Sequence, residues 1–490
     1  MGIGLGLILK FYVPVSENDQ VYMSVPGEML LQMLQAASVP LVVTTLMTGV
    51  CSLRVEVSRK VVVRAAAYVI STTLLSVATG LVLVLSIKPG GAHAVSKEDA
   101  GGEAFSTIDA LLDLVRNIVP TNLILASFLH QKTGRMEVEF EADEQPSSLE
   151  TNATQVRLSG NFVQGTNILG LIVWSYLFGL ALNIMGEDGK VIVKVLTGLN
   201  DFLKVLVNLI LGCLPVGVLF MTTSLVLEVH DWETVFKLGK FMAVVLLGLV
   251  IHGTCVLPLI YFLCTRRDPR ADIKVFLPAL KAAFLNSSSS ATLPLTLHYC
   301  EKINKGISRF MLPIGTNINM NGTALFEVVT ALFIAQINHI HLEIGQLITI
   351  TVTSVLLSIG AAGIPSTGAM TTFFVLTAAG LPAKEASFLV VIEWLLDRCN
   401  TVINVMGDCI GVALVHQVLK NDQEDTEEQG QEMERMHGRV AETQAPDDIQ
   451  IHISPSAQDE HQSKEDSDPE ILCTPPEYPP DKDTDGYEYV

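Results

Sequence analysis

Residues 388–414 read FLVVIEWLLDRCNTVINVMGDCIGVAL. The stretch is apolar and long enough to cross a bilayer, which takes roughly 20 residues, yet it holds Glu393, Asp397, Arg398, Asn400, Asn404 and Asp408. At about 100° per residue, Asp397, Thr401, Asn404 and Asp408 fall on one narrow stripe, with Glu393 and Asn400 at its edge. Ionisable groups in a span cost roughly 2.5 to 3.5 kcal/mol each on insertion scales and usually line a substrate or ion path. A stripe that only packs on neighbouring helices needs no such investment in two Asp and two Asn. The stretch therefore predicts a spanning helix that floors a binding site.

The rest of the chain is in keeping with a membrane body. Of 490 residues, 49% are hydrophobic and 17% charged, too apolar for an ordinary soluble domain. The formal net charge of −20 suggests a basic partner until it is located. From Asn421 to Val490 there are 21 Asp and Glu against 4 Lys and Arg, so 17 of the excess negative charges belong to the last 70 residues. The composition gives no basic surface for nucleic acid. Eight cysteines lie mostly in apolar segments, without a CxxC pair or metal-like His spacing, which predicts neither a disulfide framework nor a metal centre of that kind.

Apolar spans are predicted at Met29–Leu53, Val61–Ile87, Phe162–Met185, Leu203–Leu227 and Phe241–Cys264, with a less hydrophobic pair around Thr107–Phe128. The opening GIGLGLIL is shorter than a span. Basic clusters at Arg54, Arg59, Lys60 and at Arg266, Arg267, Arg270 mark cytoplasmic loops. That parity allows the polar stretch from Gln131 to Gly160 to lie outside, where Asn152-Ala153-Thr154 is a glycosylation acceptor.

Two later segments are apolar but interrupted. Residues 275–297 contain Asn286-Ser287-Ser288-Ser289-Ser290-Ala291-Thr292-Leu293-Pro294, and residues 347–379 contain Ser358-Ile359-Gly360-Ala361-Ala362-Gly363-Ile364-Pro365-Ser366-Thr367-Gly368. Neither suits a continuous lipid-facing helix, because the freed backbone groups would find no water. Each is predicted as a re-entrant helical hairpin, and each precedes one polar span. A hairpin-plus-helix unit repeated in two halves is the sequence signature of a secondary transporter's midplane site. Between the hairpins, Asn317, Asn319 and Asn321 alternate at the period of extended backbone, predicting a broken helix at Asn319-Met320-Asn321-Gly322 whose carbonyls suit a hard cation such as Na⁺. Glu327 in the same span is a candidate proton or counter-cation carrier.

With SSSSATLP at 287–294, NMNGTALFE at 319–327, AAGIP at 361–365 and DRxxTxxNVxGD at 397–408, the chain resembles the trimeric glutamate and neutral amino-acid transporters, the dicarboxylate/amino acid:cation symporters. The resemblance covers essentially the whole membrane body. It implies an all-α polytopic membrane protein with eight transmembrane helices plus two re-entrant hairpins in inverted repeats. It also implies a scaffold of helices 1, 2, 4 and 5, and a transport domain of helices 3, 6, 7 and 8 with both hairpins that moves as an elevator. By the same resemblance Asp397 and Asn404 hold a substrate amino group. Thr323 with Ser289 and Ser290 holds its α-carboxylate, Asn400 and Thr401 line the substrate site, and Ile364 and Gly368 form the outer gate. One sodium site falls on Gly315, Asn319, Asn404 and Asp408. A second includes Ser358 and Ile359, and a third Tyr68, Ser71, Thr72, Asn319 and Asn321.

Three departures from the family pattern bear on function. Asn400 stands where acidic-substrate members have the Arg that pairs with a side-chain carboxylate, Asn321 stands where the family has Asp, and Asn317 replaces a Thr. Glu327 agrees with the acidic-substrate branch. The expectation is a homotrimeric, sodium-coupled amino-acid transporter of the plasma membrane, not an enzyme, with neutral polar amino acids as substrates. The alternatives are an acidic amino-acid transporter and a substrate-gated anion conductance, since family members also pass Cl⁻; K⁺ or H⁺ coupling is left open.

Beyond residue 419 the sequence turns acidic, Gln/Ser/Pro-rich and poor in aromatics, a composition that predicts a disordered, cytoplasmic tail over 420–490. Pro475-Pro476-Glu477-Tyr478 is a PPxY string of the kind WW domains take as polyproline II, and the terminal Glu488-Tyr489-Val490 suits a PDZ groove.

Overall fold

The structure is a computed structural model, and it describes residues 2–13, 16–51, 59–91, 107–138, 155–228, 232–360, 363, 365, 367–382 and 389–443. Asn152, Ile364, the PPxY string and the C-terminal Val490 lie outside the described residues.

The described chain is helical apart from one two-stranded sheet. The first half comprises α1 (Gly2–Tyr12), α2 (Glu17–Cys51), α3 (Arg59–Ile87), α4 (Thr107–Ile118), α5 (Leu123–Ala126), β1 (Leu129–Val138), β2 (Gln155–Gln164), α6 (Ile168–Met185), α7 (Lys190–Leu211) and α8 (Leu214–Glu228). The second half comprises α9 (Trp232–Ile251), α10 (Leu257–Thr265), α11 (Arg270–Asn286), α12 (Ser289–Cys300), α13 (Lys305–Ile318), α14 (Asn321–Ile337), α15 (Ile344–Gly360), α16 (Thr367–Ala378) and α17 (Leu389–Thr443). A π turn, His252–Val256, joins α9 to α10. Among the described residues six helical stretches have the length and apolarity to cross a membrane, and α7 with α8, bent by 51°, makes a seventh. α1 and α15 are apolar but shorter than a span; the six or seven spans make the protein a multi-pass membrane protein.

At the centre lies α14. Every residue from Asn321 to Ala335 is buried, the pattern of a helix apolar on all sides and wrapped by others. Phe241 of α9 stacks on its Phe333 at 4.6 Å, and Gly80 of α3 brings that helix's backbone against Leu325 and Val329. α15 and α16 cover the remaining sides. A second packing group forms around α2, which contacts α6, α7 and α8. Here polar side chains join helices where water is scarce: Thr44 and Thr45 donate to Asn200 Oδ1 of α7 at 3.2 and 2.9 Å.

The first predicted interruption is a helix break, and the second segment holds two separate helices, α15 and α16. α11 ends at Ser287 in the left-handed conformation (φ 51°), and the extended Ser288 caps α12 by accepting Ala291 N–H at 3.1 Å. The helix expected to break at Asn319–Gly322 does so at Asn319 and Met320, which have neither helical nor strand dihedrals.

Elsewhere the chain departs from expectation. The polar stretch from Gln131 to Gly160 is not wholly a loop, since β1 and β2 pair antiparallel from Leu129↔Gln164 to Val138↔Gln155. In sequence β2 alternates, with Val156, Leu158 and Phe162 against Arg157, Ser159 and Asn161, but β1 is largely polar, and α4 completes the outer edge of β1. Asn117 Nδ2 donates to Gln131 O at 2.8 Å, Gln131 N–H donates to Asn117 Oδ1 at 2.9 Å, and Thr133 N–H donates to Asp113 Oδ1 at 2.7 Å. The single span expected at Leu203–Leu227 is two helices, because the Gly212 corner is followed by Pro215, which lacks the N–H that would continue the ladder. α17 runs on to Thr443, well past residue 419, over a Glu- and Gln-rich segment of good helix formers.

Candidate functional site

The break between α13 and α14 faces the polar stripe of α17. Asn404 Oδ1 accepts the Gly322 N–H at 2.7 Å, satisfying one of the amides that a broken helix leaves open, and its Nδ2 reaches Thr323 Oγ1 at 3.4 Å. One turn on, Asp408 Oδ1 accepts from Asn319 Nδ2 at 3.0 Å. Gly315 brings the α13 backbone directly against the Asp408 carboxylate, where any Cβ would collide. Gly322 does the same against the Asn400 backbone, its Cβ position lying 2.5 Å from Asn400 O. Gly315 lets α13 approach a side chain of α17, and Gly322 lets α14 approach its backbone.

The two hairpin tips meet beside the break. Gly363 O, from the second hairpin, accepts Ser288 Oγ at 2.6 Å and Ser290 N–H at 3.0 Å, while Gly363 N–H points to Asn317 Oδ1 at 3.4 Å. Ser289 is buried at the start of α12. On α17, Thr401 Oγ1 donates to Asp397 O at 2.8 Å; both residues are buried, as is Asn400 at 1% exposure. Neither the oxygen nor the nitrogen of the Asn400 amide has a hydrogen-bond partner. Gly368 of α16 lies against the Glu393 carboxyl, 3.0 Å from its Cβ position, and Glu327, fully buried in α14, stands by the Thr371 hydroxyl.

A cavity of about 350 Å³ gathers five residues of the expected cation sites, Tyr68, Gly315, Asn319, Ile359 and Asp408. Ser358 is buried nearby in sequence, its hydroxyl donating to Val355 O at 2.8 Å. Asn319 Oδ1 is a buried acceptor with no partner, and with the Asp408 carboxylate it makes a hard-oxygen set that fits Na⁺. Tyr68 donates to Gly407 O at 2.7 Å, and Thr72 is fully buried. Ser71 is exposed, with its hydroxyl turned back to Tyr68 O at 2.9 Å, outside this gathering. The α3 residues that reach Asn321 are instead Thr73, whose hydroxyl donates to Asn321 Oδ1 at 3.0 Å, and Ser76, which donates to Asn321 O at 2.6 Å. Sequence reasoning missed both, although they continue the polar face begun by Tyr68 and Thr72. Asn321 Nδ2 is left as a buried donor, so the residues at this position do not fit a cation.

A helix broken at mid-span, flanked by two hairpin tips and a spanning helix with a buried polar stripe, defines a secondary transporter of the multi-pass helical class. The chain belongs to the sodium:dicarboxylate symporter family, whose profile matches residues 1–418. It is 42% identical over 442 residues to Excitatory amino acid transporter 3 of Oryctolagus cuniculus, covering 86% of this chain and 84% of the relative. The human counterpart is 41% identical over 442 residues with the same coverage, and Excitatory amino acid transporter 2 of Rattus norvegicus is 36% identical over 481 residues, 92% of this chain and 82% of the relative. The protein is therefore a sodium-coupled amino-acid transporter by family, and not an enzyme.

Proposed function

We propose that this protein carries neutral polar amino acids with Na⁺ across the plasma membrane. The observation that supports the choice is Asn400, whose amide is 1% exposed with both its oxygen and its nitrogen unpartnered, one turn from Asp397 on α17. A buried polar group left open costs about 1–3 kcal/mol. A substrate side chain that both donates and accepts relieves that cost at each atom, whereas a buried carboxylate at the same place would have no guanidinium to pair with. Asp397 supplies the charge for the α-ammonium, and Thr323 and the Ser289–Ser290 tip supply donors for the α-carboxylate. Na⁺ enters at the Asp408–Asn319 oxygens, and Glu327 is the group through which H⁺ or K⁺ would couple.

The names of the relatives support a different substrate, an acidic amino acid. Competition of labelled L-serine uptake by neutral and acidic amino acids separates the two, in wild type and in Asn400→Arg. The proposal expects serine-like competitors to win in wild type and aspartate or glutamate to gain at least tenfold in the variant. Preference for glutamate in wild type overturns it.

Assembly and control belong to the same reading. A homotrimer in lipid accords with the exposed apolar stripe Val191, Val195, Phe202 and Leu209 along α7, and its mass in detergent micelles tests it. For the tail we propose WW- and PDZ-domain partners at Pro475–Tyr478 and Val490; Tyr478→Ala then lengthens surface residence without altering uptake per transporter. Equal turnover of variant and wild type removes the WW reading.

A further inference from the structure

We propose that a cavity between the β-ribbon and the return arm of the second hairpin is an additional binding site for a zwitterionic amino acid, separate from the α17 stripe. The cavity measures about 390 Å³, within the range of small-molecule pockets, roughly 300–1,000 Å³. Its charged lining has both signs: Asp113 from α4 and Lys132 from β1 face the same space and act on each other electrostatically. A simple anion there meets Asp113 and a simple cation meets Lys132. A molecule carrying an ammonium and a carboxylate presents a counter-charge to each. The opposite wall is neutral and hydrogen-bonding, with Gln346 and Thr349 of α15 and Thr377 of α16.

The frame around these charges is held in place before any ligand arrives. Asp113 is oriented by Thr133 N–H, Asn117 is locked to Gln131 in both directions, and Asn167 Nδ2 donates to Asn117 O at 2.9 Å. Such prior ordering lowers the cost of binding. The walls also belong to two different parts of the fold. On one side stands the ribbon with α4, and on the other the end of α16, where Gly380 takes φ +69° with its Cβ position 3.6 Å from Lys132 Nζ. A ligand seated here ties the ribbon to the second hairpin, so its occupancy at high amino-acid concentration slows transport without competing at the α17 stripe.

The test is equilibrium binding of labelled glycine and L-serine to the full-length protein and to Asp397→Asn, Lys132→Met and Lys132→Arg. The expected result is two classes of site in wild type. Asp397→Asn removes the tighter class and keeps the weaker, Lys132→Met weakens the second class at least tenfold, and Lys132→Arg retains it. Loss of the tighter class in Asp397→Asn speaks only to the α17 stripe, so the two readings fail separately. Absence of a second class for both amino acids, or its persistence in Lys132→Met, overturns the proposal.

Discussion

The Asn319 amide donates to the Asp408 carboxylate at 3.0 Å, joining the broken helix to the spanning helix α17. Four residues earlier on α17, Asn404 holds the Gly322 N–H at 2.7 Å. The break is thus held open by two side chains of one helical face, with the carboxylate in the space that the absence of a side chain at Gly315 leaves. Asp408→Asn keeps the shape and removes the charge. Sodium-titrated uptake should then show a half-saturation at least tenfold higher, since a neutral oxygen set compensates far less of the desolvation of Na⁺. An unchanged sodium dependence places the cation elsewhere.

Asn321 offers the reverse change. Its oxygen is occupied by Thr73 and its nitrogen has no acceptor, so Asn321→Asp replaces an idle donor with a carboxylate oxygen. With that carboxylate set beside the Thr73 and Ser76 hydroxyls, the variant should bind Na⁺ more tightly and raise the Hill coefficient of sodium-dependent uptake. Equal coefficients and equal affinities in both proteins dispose of the idea.

Gly322→Ala places a methyl group 2.5 Å from Asn400 O and 2.8 Å from Asn400 Cα. Both are backbone atoms and cannot swing away, so α14 and α17 must part at an overpacking cost of about 1–3 kcal/mol. Thermal unfolding in detergent should fall by several degrees and uptake should drop with it. Wild-type values for both would show that the two helices do not touch there.

His130 links the ribbon to acidity. Burial pushes its pKa below the ordinary value, Lys132 pushes the same way, and the Gly165 carbonyl and Asp113 oppose. The folded state therefore favours the neutral ring, whose Nδ1–H donates to Gly165 O at 3.3 Å. Above about pH 6.5 the ring is neutral whether packed or released, and stability does not depend on it. As pH falls through that value the released form takes the proton first, so the packed ribbon loses stability. Hydrogen exchange of residues 129–138, corrected for intrinsic rates, should speed up on acidification in wild type and less so in His130→Gln. Matching profiles would show that His130 does not carry the effect; Asp113, whose carboxyl burial holds above the usual range, favours the packed form on acidification and acts in the opposite direction.

The hairpin breaks, the interrupted span and the stripe of α17 were legible in the sequence because each is a local anomaly. Ser287–Ser290, Asn319–Asn321 and Asp397–Asp408 are polar groups in apolar surroundings, and the bilayer leaves a polar backbone or carboxylate few places to be. The β-ribbon was not legible, since β1 is largely polar and the groups that complete its outer edge, Asp113 and Asn117, come from α4. Nor was the bend at Gly212, or the helix that continues to Thr443.

By itself the sequence determined which segments enter the membrane, where their helices must break and which groups are polar there. Only the tertiary structure decided the partners: that Asn321 meets Thr73 and Ser76, some 245 residues away, while Ser71 turns outward, and that Asn400 ends buried with both atoms of its amide open. Periodicity along one helix fixes which side chains share a face, but which helix that face meets, and how closely, depends on glycines such as Gly80, Gly315 and Gly322 letting particular backbones approach.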